Sequence, residues 1–262
     1  KNNFSVKATL SNERLETTEN VPFITSSGIS SSHYNETTLS VQLRYAPGEK
    51  FYQTKSYRIP INLDAPAVVL SHTFGPQKFL GNTFTINKTE LSFQKRFWFS
   101  AFGYTDVILK GGHIWSQTPY PALLIPNANL TYTIQPESFA MMNAMEFVND
   151  SYVSWDLNYW ANGAIFNYIP LVKKLKLREV FCFRGVSGTL SSKNNPLNNS
   201  NLYLFPALQE PEEMNWKPYM EASVGIENIF KCLRLDYVWR LSYRNKQNID
   251  KSGLRVAVHI TF

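Results

Sequence analysis

The chain has 262 residues, of which 44% are hydrophobic and 15% aromatic, enough apolar material for one large all-β unit or two smaller domains. Charged side chains make up only 18%, and the net charge of +6 is scattered among acidic and aromatic residues, so no nucleic-acid partner is expected. The longest run without Asp, Glu, Lys or Arg, 111–136, holds Pro119, Pro121, Pro126 and Pro136, which rule out a transmembrane helix there and leave strands as the route across a membrane.

Motif-defined chemistry is missing too. The sequence has no Walker loop, GxGxxG, HExxH or GxSxG spacing. His33, His72, His113 and His259 are isolated and without ligand spacing, so structural roles are expected and no metal. Cys182 and Cys232 lie far apart with no CxxC and are expected to be unpaired. No carboxylate pair stands out. The expectation is no catalytic residue, no cofactor and no enzyme.

From the N-terminus, Lys1 leads almost directly into a strand-like run with no signal-peptide pattern, so the numbering is expected to begin inside a longer protein. Leu91, Phe93, Phe97 and Phe99 alternate with Ser92, Gln94 and Arg96, with Lys95 interrupting the apolar side. Val153, Trp155, Leu157 and Tyr159 alternate with Ser154, Asp156 and Asn158. Lys173, Lys174 and Lys176 form the one basic cluster, expected to be a solvated turn. Met220, Ala222, Val224 and Ile226 alternate with Glu221, Ser223, Gly225 and Glu227. Leu233, Leu235, Tyr237, Trp239 and Leu241 alternate with Arg234, Asp236, Val238, Arg240 and Ser242. The chain closes on GLRVAVHITF, with Leu254, Val256, Val258, Ile260 and Phe262 on one side.

A period of two places successive side chains on opposite faces of a strand. Spans of this length match the ~9–11 residues a tilted strand needs to cross a bilayer and exceed the ~5–6 of a typical soluble strand. The opposite faces are too charged for a sandwich core. They suit a wet barrel lumen with charges paired across neighbouring strands. Asp156, Glu221, Glu227, Arg234, Asp236 and Arg240 are therefore expected to face the lumen. Trp155, Tyr159, Leu233, Leu235, Tyr237 and Trp239 are expected to face lipid. The connections are uneven: Asn228 to Lys231 is a tight turn and Phe166 to Lys174 a modest one, whereas Ser191 to Trp216 is long and rich in asparagine.

Four runs then stand out: APGEKFYQTKSYRIPINLDAP (46–66), QKRFWFSAFGYTDVILKGG (94–112), IPNANLTYTIQPESFAMMNAMEFVND (125–150) and IPLVKKLKLREVF (169–181). Together they resemble the Bacteroidota outer-membrane proteins that carry a carboxypeptidase-regulatory-like domain ahead of a barrel of unassigned function. The resemblance spans most of residues 38–262. More distantly, SVGIENIFKCLRLDYVWRL (223–241) with the terminal strand is similar to the last three strands of the BamA-like assembly and translocation superfamily. Those barrels have sixteen strands and a long outward loop folded into the lumen; its arginine-glycine tip has no clear match here.

The resemblance implies an all-β fold, an antiparallel transmembrane barrel in the outer membrane of a Gram-negative bacterium. Residues 1–262 would be its C-terminal portion, with further strands and a periplasmic domain preceding Lys1. The implied role is non-enzymatic: envelope biogenesis, transport, or service as a subunit of an outer-membrane complex. Expected partners are outer-membrane lipids, the barrel-assembly machinery and other outer-membrane proteins or lipoproteins. Phe262 resembles the C-terminal signal which that machinery recognises.

In such barrels the terminal strand runs down to the periplasm. Counting back, 231–243 runs up, 217–227 down, 177–189 up, 152–164 down, 101–114 up and 88–97 down, preceded by 66–74, 38–46 and 4–12. That gives ten strands only if 115–151 is a single outward connection. Leu123, Leu124, Ile125, Met141, Met142, Met145 and Phe147 in it call for burial, so it is expected to pack in or over the lumen. The competing reading is a soluble, surface-exposed β-sandwich carbohydrate-binding module, which requires Trp155, Tyr159, Trp160 and Trp216 to be exposed and clustered.

Overall fold

Aromatic and branched side chains at every second position suit one face of a pleated sheet, and the alternating runs do form strands. The computed structural model describes residues 3–206, 211–246 and 248–258. The ten long strands are β1 (Phe4–Glu16), β2 (His33–Tyr45), β3 (Ala67–Gly75), β4 (Ile86–Trp98) and β5 (Tyr104–Ile114), then β6 (Ser151–Trp160), β7 (Arg178–Thr189), β8 (Tyr219–Ile229), β9 (Leu233–Arg240) and β10 (Ser252–Val258). Each pairs antiparallel with its neighbours in the chain, giving one ten-stranded meander. The fold is all-β, with 51% strand and 6% helix among the described residues. Two small ribbons, Phe23–Ile24 with Ser30–Ser31 and Phe51–Gln53 with Arg58–Pro60, sit outside the sheet. The strands thus form a single layer, not the two facing sheets of a sandwich.

The sheet is open. Among the described residues β1 and β10 are its two edges and do not pair with each other, so these ten strands do not make the closed barrel expected from the sequence. Phe262 and Ile260, the last members of the terminal alternation, lie outside the described residues.

Strand ends follow local chemistry. β6 stops at Trp160 rather than running to 164, because Asn162 (φ 53°) and Gly163 (φ 83°) turn the chain through left-handed conformations. β9 stops at Arg240 rather than 243. The Arg240 guanidinium donates to the Ser242 and Tyr243 carbonyls (3.1 and 3.0 Å), and Tyr243 adopts φ 52°.

Register carries the two-faced pattern across the whole sheet. On one face Leu43, Leu70, Leu91 and Gly111 form one paired row, and Phe93, Leu109, Trp155, Gly185 and Met220 form another. Side chains of this apolar face are largely exposed, as at Leu10 (66%), Leu91 (50%) and Leu254 (51%). On the other face Gln42, Ser71, Glu90, Gly112 and Tyr152 form one paired row, and Arg96, Asp106, Asn158, Cys182 and Ser223 another. This is the polar face.

Candidate functional site

The polar face of β6–β10 and the long connection between β5 and β6 meet in one densely bonded region. Residues 115–150 contribute no strand to the main sheet; FAMMNAMEFV (139–148) makes only the isolated bridges Ala128–Phe139 and Phe147–Glu212 at its two ends. The connection turns back over the sheet. Its outer part joins an apolar cluster with Phe23, Tyr34, Ile114 and Tyr203, to which it gives Tyr120, Leu123 and Val148. Burial there pushes the Tyr120 phenol up to about 12. Its inner part gives Phe139, Met142 and Phe147 to a second cluster with Val186, Met214 and Tyr219.

Backbone polar groups in the inner part have few neighbours of their own, and the sheet supplies them. Glu221 accepts the Ala140 and Met141 amides at 2.9 and 2.7 Å and the Tyr219 hydroxyl at 2.7 Å. Arg240 forks onto Glu146 of the connection at 2.6 and 3.0 Å and donates to the Met141 carbonyl at 3.1 Å. Arg184 donates to the Ser138 carbonyl, Arg255 to the Ala140 carbonyl, and Lys110 pairs with Glu137. Arg240 and Glu146 are almost completely enclosed, with side chains 0% and 4% exposed. Two charges removed from water need this geometry and these extra hydrogen bonds to be tolerated.

All six charged positions singled out on the sequence are buried, on this one face. Their bonding differs from the simple cross-strand pairing expected. Asp156 does reach across, to Arg184 at 3.6 Å, as Arg96 does to Asp106 at 2.6 Å. Arg234 instead forks onto Asp236 two residues along the same strand, at 2.8 and 2.6 Å. Room for that pair comes from Gly225, where a Cβ would lie 2.1 Å from the Asp236 Oδ1. Glu221 and Arg240, directly opposite in register, both turn to the connection. Glu227 stands opposite Arg178.

The six apolar positions occupy the other face. Leu235 and Tyr237 pair with Val256 and Leu254, and Trp239 with Ser252. Trp155 pairs with Leu109 and Gly185, and Tyr159 stacks on Phe181 at 6.1 Å. Trp160 projects to the polar face, stacked on Tyr104 at 5.0 Å, and Trp216 belongs to the 190–218 connection. The four rings of the carbohydrate-module reading are therefore divided among two faces and a loop.

Several participants were not singled out from sequence: Glu146, Arg184, Arg255, Glu137 and the backbone of 138–141. Glu146 alone carried a signal, as the lone charge in the otherwise uncharged FAMMNAMEFV run. Between the connection and β4–β7 remains a cavity of about 350 Å³, lined on the sheet by Lys88, Glu90, Lys110 and Tyr152 and above by Leu124 and Ile125. Among the described residues no group of three or more His, Cys, Asp or Glu converges on one point, and both cysteines are free thiols.

The connection also reaches the sheet's edge. Ile134 donates its amide to the Val256 carbonyl, and Val256 donates to the Tyr132 carbonyl, both at 2.8 Å. Thr133 thereby forms a parallel bridge on the side of β10 that faces away from β9, while the Arg255 guanidinium lies 5.7 Å from the Tyr132 ring.

Compared with known families, residues 1–196 match the model described as "Family of unknown function (DUF5686) C-terminal domain". The match takes in the opening strand and ends before β8. No curated protein matches the chain.

Proposed function

This chain belongs to the DUF5686 C-terminal-domain family, whose function is unknown, and we propose that it is a non-enzymatic, integral outer-membrane β-barrel segment. One observation carries the reading: long strands present a largely apolar, exposed face, while the opposite face is charged and, over β6–β10, covered by the chain's own connection. In water that apolar face would be a large aggregation liability; against lipid it is the expected surface. In hydrocarbon the groups left unpaired along β1 and along β10 beside Val256 need partners, so further strands complete the barrel in this reading. The connection over 115–150 then sits in the lumen and narrows it. This suits a transport or assembly component, the role of the BamA-like superfamily that the last strands of the sequence resemble.

Cell fractionation tests it. The full-length protein is expected in the membrane pellet, resistant to carbonate and released by detergent. Recovery in the soluble fraction without detergent overturns the reading.

A further inference from the structure

The connections at the two ends of the sheet differ in charge as well as length. At one end lie 46–66, 99–103, 161–177 and 230–232, which together hold seven Lys or Arg against two Asp or Glu. At the other end 17–32, 76–85, 115–150, 190–218 and 241–251 hold six against eight. A net +5 at one end against −2 at the other means that most of the chain's +6 gathers at the first end.

That end also exposes apolar side chains at its tips, beside its lysines. Tyr168 (83% exposed), Leu171 (79%), Leu175 (63%) and Phe230 (87%) stand in solvent beside the exposed Lys173, Lys174, Lys176 and Lys231. These side chains are presented by a fixed surface. Glu179, on β7, accepts the Ile165 and Phe166 amides, and Asn228 donates to the Lys176 carbonyl at 2.7 Å, tying the two turns together. A turn that merely needs solvation has no use for exposed Leu and Phe. Rings and aliphatic groups that dip below a headgroup layer while lysines stay at its surface are the pattern of an interfacial anchor.

We propose that this end of the sheet binds the anionic headgroups of phospholipids in the adjoining leaflet, with the 165–176 turn as the principal contact. The inference rests on the bilayer-spanning reading, which places that turn at a membrane interface. Polybasic, apolar-tipped segments attract anionic lipid electrostatically, and the attraction falls with salt.

The test uses the full-length protein in bilayers in which brominated phosphatidylglycerol or brominated phosphatidylcholine quenches tryptophan fluorescence. Phosphatidylglycerol is expected to be preferred by about fivefold, roughly the factor one surface-bound lysine contributes, and the preference should shrink in high salt. The triple variant Lys173→Gln/Lys174→Gln/Lys176→Gln should bring it close to one while quenching by the phosphatidylcholine analogue stays unchanged. Lys78→Gln/Lys217→Gln/Lys251→Gln, at the opposite end, should leave it intact. Equal quenching by both lipids, or a preference that survives the first triple variant, overturns the inference while the spanning reading stands. Absence of quenching by either lipid overturns both.

Discussion

Arg240 shows how much one side chain can hold at this site. Its guanidinium bonds Glu146, the Met141 carbonyl and the carbonyls that end β9, with no exposure to solvent. Removing one member of such a pair strands the other charge in a dry site, which costs about 3–5 kcal/mol. Arg240→Met is therefore expected to destabilise the docked connection by that order. Arg240→Met combined with Glu146→Gln should recover part of the loss, because no buried charge is then left uncompensated. Urea unfolding of the two single variants and the double variant checks this. Purely additive losses would show that the pair is not coupled.

At the scale of elements, the free side of β10 is the informative place. An unpaired strand edge is a template for any other strand, and natural proteins cover such edges with short segments. Residues 132–134 do this at Val256, and Pro136 just beyond cannot donate to a longer ladder. Ile134→Pro removes the amide that the Val256 carbonyl accepts and should release 131–135 from β10. Limited proteolysis of the variant should show new cleavage in 130–136. Unchanged resistance would mean that the bridge contributes nothing to holding the connection.

For the molecule as a whole, the connection over 115–150 is the part whose removal should be felt in function. It packs on the polar side of the sheet through two apolar clusters and a row of charge-assisted bonds. In the full-length protein, deletion of 118–148 should raise single-channel conductance in planar bilayers or release a bound partner. If the deleted protein still assembles and neither quantity changes, the connection is neither plug nor dock.

Period-two alternation in the sequence is enough to place five strands and the two faces of each; the count of ten comes with the family resemblance and with reading 115–151 as one connection. The facing pattern is local: it follows from side chains two positions apart, and a slip of one residue would turn Leu235 and Arg234 to the wrong sides. Long-range packing alone sets which partner each charge takes: Glu221 holds the amides of 140 and 141, and Arg255 reaches the Ala140 carbonyl 115 positions away. The partners in those bonds are main-chain amides and carbonyls. Nearly every residue carries them alike, so no pattern of side chains announces which of them a distant charge will find.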